Sequence, residues 1–136
     1  MEDNTLLHRQ VHPTWVVNNK ISSQTFEVES KMEIASLTFI PSPKDDGKLS
    51  VYNGAKHSAK EAFMHYTEQG FQSCGVVSVL VSECKEINLP CTEDNHPFDG
   101  HSYIDYTNEP SKSSIKNKAQ KLKKKATDRN WSYKED

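Results

Sequence analysis

Ser73-Cys74-Gly75-Val76-Val77-Ser78-Val79-Leu80-Val81 is the longest apolar, β-branched run of the chain. A run this short and this rich in Val reads as a strand covered on both faces rather than as a helix. It predicts the central strand of one domain spanning residues 1–136. The run carries no acid, base or activated nucleophile. It therefore fixes a core, and the chemistry must lie on neighbouring elements.

Working outward, the clearest helix precedes this strand. Ser58 is a natural N-cap, and Glu61 three residues later completes a capping box. Ala59, Ala62, Phe63 and Tyr66 share one face at helical spacing. Gly70 supplies the C-terminal stop, with Phe71 placed to fold back on the last turn. After the strand, Ser82 is expected to cap a shorter helix reaching about Leu89, ended by Pro90. Cys91 to Gly100 reads as a polar loop. Ser102-Tyr103-Ile104-Asp105-Tyr106 alternates as a strand. A last helix is expected over roughly 113–128, with a narrow stripe of Ile115, Ala119, Leu122 and Ala126, and Trp131 and Tyr133 pinning the end of the chain.

Upstream, His8, Gln10 and His12 alternate with Arg9 and Val11 in a short strand stopped by Pro13. Ile21 to Phe26 is a candidate for a second extended piece, and Glu27 to Ala35 has no clean period. Leu37-Thr38-Phe39-Ile40 reads as a strand ended by Pro41-Ser42-Pro43, and Leu49-Ser50-Val51-Tyr52 as another closed by Asn53-Gly54. The expected architecture is α+β: a single mixed sheet of about five short strands with three helices packed on it.

Composition narrows the classes. Hydrophobic residues are 34% and charged residues 26% of 136, a water-soluble balance. No apolar stretch is long enough to span a bilayer, so no membrane partner is expected. The Met1-Glu2-Asp3-Asn4 start is acidic and polar, which argues against a signal peptide. Three cysteines (Cys74, Cys84 and Cys91) without a Cys-x-x-Cys suggest reduced thiols and a cytoplasmic setting. The net charge of −2 hides a division: residues 1–110 hold 8 Lys and Arg against 16 Asp and Glu, residues 111–136 hold 9 against 3. Such asymmetry marks either a basic arm for nucleic acid or a basic helix docked on its own acidic body.

Four clusters carry candidate chemistry. His8, Arg9, Gln10 and His12 form the densest one, offering acid/base imidazoles or an anion-binding patch, or else a polar edge that deters pairing with other chains. Alternation puts His8, Gln10 and His12 on one face and Arg9 on the other, so all four share a pocket only if the strand twists or ends there. Cys84, Cys91, His96 and His101 include zinc-type ligands at irregular spacing, so no metal site is expected. Asp94, Asp99, Asp105 and Glu109 are carboxylates that spacing alone does not sort into pairs. Lys121, Lys123, Lys124 and Lys125, with Lys116 and Lys118, form a basic helical face suited to phosphates or to a protein partner. Lysine is also the ordinary residue of a solvated helix.

His8-Arg9-Gln10-Val11-His12-Pro13, Pro41-Ser42-Pro43-Lys44-Asp45 and Leu49-Ser50-Val51-Tyr52, followed by Pro97-Phe98 and His101, resemble a set of small bacterial proteins with no activity assigned. The likeness runs from about residue 8 to Trp131 and implies a bacterial, cytosolic setting. Glu27–Ile40 departs from it, as an inserted segment would. The order His8 or Arg9, Ser22-Ser23, Tyr52, then Asp105 or Glu109 also resembles ADP-ribosyltransferase-like folds. That resemblance implies that Arg9 binds the phosphates of a nicotinamide dinucleotide, that Tyr52 stacks on the nicotinamide, and that the acid orients the ribose or acceptor.

Two functions follow as expectations. One is a binding module that contacts nucleic acid or a protein partner through Lys121, Lys123, Lys124 and Lys125, with Gln10 and His12 as further binding residues. The other is a small transferase-like or nuclease-like enzyme whose catalytic candidates are His8, Arg9, Tyr52 and His101. No cofactor is expected for either, and the sequence leaves the oligomeric state open.

Overall fold

A computed structural model describes residues 1–18 and 33–135. The valine run forms strand β5 (Gly75–Leu80), which pairs antiparallel along its whole length with β1 (Leu6–Val11), from Leu6 opposite Leu80 to Val11 opposite Gly75. Val76, Val77, Ser78 and Val79 are all buried, so both faces of β5 are covered. On one face Leu7, Val11, Val77 and Val79 join the core cluster that includes Ala119, Leu122 and Ala126 of the last helix, α3 (Lys112–Arg129). On the other lie His8, Gln10, Val76 and Ser78, beneath α1 (Ala59–Glu68).

The main sheet has six strands. With β4 (Lys48–Asn53), β6 (Cys91–Glu93), β7 (His101–Asp105) and β8 (Tyr133–Lys134), its order is β6-β7-β4-β1-β5-β8. A two-stranded ribbon pairs β2 (Val16–Asn18) with β3 (Glu33–Ile34). The fold is α+β, but every hydrogen-bonded pair is antiparallel, which corrects the expected mixed sheet. The unit β4-α1-β5 does run its two strands in the same direction; β1 lies between them and is antiparallel to both. The middle of the sheet is therefore held by β4 and β1, and β5 sits one place from the edge. Its outer edge is finished by the C-terminal segment: Arg129 Nη1 donates to Ser78 O at 2.9 Å and Ser132 N to Val76 O at 2.8 Å. Gly75 is needed there, because a Cβ would meet Tyr133 O at 2.7 Å and the Trp131 ring at 2.8 Å.

The α1 cap forms as read. Glu61 N donates to Ser58 Oγ at 3.1 Å and Ser58 N to Glu61 Oε1 at 2.8 Å. Gly70 takes φ +93°, and Phe71 turns back to stack on Tyr66 with ring centroids 5.0 Å apart. Ser111 caps α3 by accepting from Ser114 N at 3.1 Å.

Three local expectations are corrected. Ser36–Phe39 is a 3-10 turn, not a strand. The turn buries Thr38 and Phe39 and leaves Leu37 outside, which suits a plug against α3 better than a sheet edge. Cys91–Glu93 is strand rather than loop: it pairs with β7, and its exposed Thr92 and Glu93 give an edge strand no apolar alternation to be read from. The short helix α2 (Val81–Lys85) starts one residue before the expected cap. Leu80 is its N-cap residue, and Leu80 N donates to Glu83 Oε1 at 2.8 Å, so Ser82 lies in the first turn. The extended piece proposed at Ile21–Phe26, most of Glu27–Ala35 and the Ser22-Ser23 pair lie outside the described residues.

Candidate functional site

The site is made where the middle of the sheet opens. β1 and β4 pair only at Leu7–Asn53 and His8–Tyr52. Beyond these positions the backbones part, and Arg9 bridges the gap: its Nε donates to Thr38 O at 2.8 Å and its Nη1 to Ser50 O at 3.0 Å. A cavity of about 290 Å³ lies here, lined by His8, Arg9, Gln10, Ser50, Tyr52 and His101 from the sheet. Tyr66, Gln69 and Phe71 from α1 and its end, with Pro97 and Phe98 from the β6–β7 loop, complete the wall. Strand alternation alone would keep Arg9 away from His8 and Gln10; the end of the pairing brings all three to one cavity.

His101 sits opposite Tyr52 in the β4–β7 ladder, and Ser50 lies two residues away on the same face of β4. His101 Nδ1 is 2.6 Å from Asp94 Oδ1, and His101 Nε2 is 3.2 Å from Ser50 Oγ. A carboxylate only accepts, so Nδ1 carries a proton, and in the neutral imidazole Nε2 then turns its lone pair toward the Ser50 hydroxyl. The loop after β6 holds Asp94 in place: Asp94 N and Asn95 N both donate to His101 O, at 3.3 and 3.0 Å. Asn95 Oδ1 receives Gly100 N at 2.8 Å, and Lys56 Nζ ties Asp99 at 2.7 Å. Phe98 covers the assembly, stacked on Tyr52 at 4.9 Å and edge-on to His101 at 5.4 Å. Ser50 itself is exposed.

His8 is differently placed. Its Nε2 donates to His57 O at 3.1 Å, so its Nδ1, 2.7 Å from Ser78 Oγ, is the acceptor of the Ser78 hydroxyl. Ser78 Oγ in turn is 2.6 Å from Ser132 Oγ. Both ring nitrogens are satisfied, and the ring lines the cavity without a free lone pair. Burial lowers the His8 pKa from its ordinary 6.5, reinforced by the His57 ring and opposed by the His57 carbonyl. The unfolded chain therefore binds this proton more readily than the native one. The stability that His8 contributes is complete above about pH 6.5 and is lost as pH falls from there toward the depressed native value. Urea midpoints measured from pH 7.5 to 5.5 should fall for the wild type, and His8→Gln should flatten that slope.

Tyr52 Oη pairs with His65 Nδ1 at 2.8 Å, and burial pushes its hydroxyl pKa far up, with Tyr66 adding to the effect. Tyr52 is thus a fixed neutral wall, its ring already stacked on Phe98. Burial also lowers the Arg9 pKa. Gln10 Nε2 donates to Ala62 O at 2.9 Å. His12 is not part of the cavity lining: its Nδ1 pairs with Thr14, capping the Pro13–Trp15 turn. Asp105 binds Thr107 and Glu109 binds Lys118, and neither lines the cavity. Lys121, Lys123, Lys124 and Lys125 are on α3, packed against the opposite side of the sheet. Among the described residues no group of three or more His, Cys, Asp or Glu side chains is placed to hold a metal ion, and no helix is long and apolar enough to cross a membrane.

Sequence reading alone did not select Ser50 or Asp94. Ser50 lies in no nucleophile motif, and Asp94 is one of five acids from Glu93 to Glu109. The available signal was alternation: had β4 been paired with β7 in the observed register, Ser50, Tyr52 and His101 would have fallen on one face. Comparison of the chain with protein-family models, with curated proteins and with solved structures found no match.

Proposed function

We propose that the chain is a small serine-dependent hydrolase acting on esters or comparably activated acyl compounds. The observation that carries this reading is the line Asp94 Oδ1, His101 Nδ1 and Nε2, Ser50 Oγ at the wall of an open cavity. Those atoms supply the three roles that acyl transfer to a hydroxyl requires, and such sets are recognised by geometry and role rather than by chain order. Ser50 Oγ would attack the acyl carbon while His101 Nε2 takes the hydroxyl proton. Collapse of the tetrahedral adduct breaks the bond to the leaving alcohol, which receives that proton. Water, deprotonated by the same nitrogen, then releases the acid and restores Ser50. Asp94 keeps His101 in the tautomer with Nε2 free and favours its transient positive charge.

Within this reading Tyr52 and Phe98 shape the wall and His8 braces the sheet beneath it. The test is hydrolysis of p-nitrophenyl acetate. The wild type should release p-nitrophenol above the buffer rate and Ser50→Ala should not; equal rates for the two proteins would reject the proposal.

A second reading concerns the far side of the sheet. Lys116, Lys121, Lys124 and Lys125 are exposed on α3, and of these only Lys124 has a carboxylate partner among the described residues, Asp128 at 3.4 Å. That outward cationic row supports contact with nucleic acid or an acidic protein surface, independent of the cavity. Replacing Lys121, Lys123, Lys124 and Lys125 together by Gln should abolish retention on duplex DNA at low salt while His8→Ala leaves it intact. Retention by the quadruple variant would remove this reading.

A further inference from the structure

Among the described residues, Arg9 is a cation without a counter-ion at the wall of the candidate site. Of the five N–H donors of its guanidinium, Nε and one on Nη1 are engaged, both by neutral backbone carbonyls. Among the described residues no carboxylate forms an ion pair with it. Asp45, the acid whose field reaches Arg9, is committed to the backbone and hydroxyl of Ser42 at 3.2 and 2.6 Å. Asp94 is committed to His101. Trp15 covers the guanidinium, 5.8 Å from its ring centroid, which removes water from that side. Holding a desolvated charge unpaired is costly, and the fork geometry of guanidinium matches the oxygens of carboxylates and phosphates. The rest of the wall is largely aromatic, from Tyr66, Phe71 and Phe98, and a volume of about 290 Å³ suits a small molecule.

We infer that the substrate carries an anionic group, a carboxylate or a phosphate, seated against Arg9 with an apolar acyl body between it and Ser50. This names the substrate class of the hydrolytic site and so rests on that reading. The geometry joins the two: Arg9 Nη1 is bonded to the main-chain carbonyl of Ser50 itself, so the anion and the nucleophile address opposite ends of one short molecule. The reaction is hydrolysis of an acyl compound bearing a negative charge a few bonds from the scissile carbon, with water as the co-reactant.

The experiment compares kcat/KM for mono-p-nitrophenyl succinate and for the neutral p-nitrophenyl butyrate, with calorimetric titration of succinate and of inorganic phosphate into the same proteins. Charge-assisted hydrogen bonds predict a preference for the succinate ester of about 10- to 100-fold. The preference should collapse in Arg9→Gln and persist in part in Arg9→Lys, which keeps the charge and loses the fork. The tighter of the two titrated anions identifies the group. Should Arg9→Gln fail to fold, Arg9→Lys and competition by succinate against butyramide on the wild type carry the test. Equal kcat/KM for the two esters, both dependent on Ser50, would overturn the anion inference and leave hydrolysis standing. Anion binding that requires Arg9, with neither ester cleaved, would keep the anion site and remove the hydrolytic reading. Neither binding nor cleavage would remove both.

Discussion

Replacing His101 by Ala is expected to lower kcat for p-nitrophenyl acetate by roughly a thousandfold or more, and Ser50→Ala to do the same. The two losses should not add. Groups that act in one proton transfer fail together, so the double variant should be no slower than either single one. Asp94→Asn should fall between these and the wild type, because Ser50 and the imidazole remain while the tautomer that frees Nε2 is no longer enforced. This ordering separates a relay from a structural contact. If the Ser50–His101 contact were only a diagonal pair between neighbouring strands, its removal would be felt in stability and not in turnover. Thermal unfolding of the same variants supplies that control: the Ser50 side chain is exposed, so Ser50→Ala should leave the midpoint nearly unchanged.

The second large effect lies in the core. Phe39 is fully buried, and its carbonyl accepts the Tyr106 hydroxyl at 2.6 Å. Phe39→Ala should cost about 3–5 kcal/mol through lost transfer energy and the cavity left behind, a large share of a domain's usual 5–15 kcal/mol or so. Tyr106→Phe should cost about 1–3 kcal/mol, because it strands a buried carbonyl. Leu37, in the same turn but 49% exposed, should tolerate Ala with little change. Urea unfolding of the three variants measures these differences. Similar losses at Leu37 and Phe39 would mean that both side chains face the core as i and i+2 of a strand do, contrary to the turn described.

That segment also shows what a sequence can and cannot carry. Leu37-Thr38-Phe39-Ile40 has the β-branched and aromatic content of a strand, but among the described residues it pairs with no strand. Tertiary packing turns it into a plug beside α3. The α1 cap was legible because Ser58 and Glu61 are each other's partners within one turn. The valine run was legible because burial on both faces leaves a local trace. The candidate site had no local trace. Ser50 and His101 are 51 residues apart in sequence, and their approach depends on the register of β4 against β7. Asp94 reaches His101 only because the chain leaves β6 and closes back on the His101 carbonyl. His8, conspicuous in sequence, proves to be a histidine with both nitrogens satisfied, one by Ser78 of β5 and the other by the His57 carbonyl in the segment before α1. Arg9 entered the cavity through a feature that no alternation rule states, namely the end of β1–β4 pairing after His8 and Tyr52.

The most direct test of the account is covalent labelling of the wild type with a fluorophosphonate probe, followed by peptide mapping. Such a probe phosphonylates a serine hydroxyl when a neighbouring base takes its proton. One adduct is expected, on Ser50, absent in His101→Ala and slowed in Asp94→Asn. No adduct on Ser50, or labelling there that persists undiminished without His101, would contradict it.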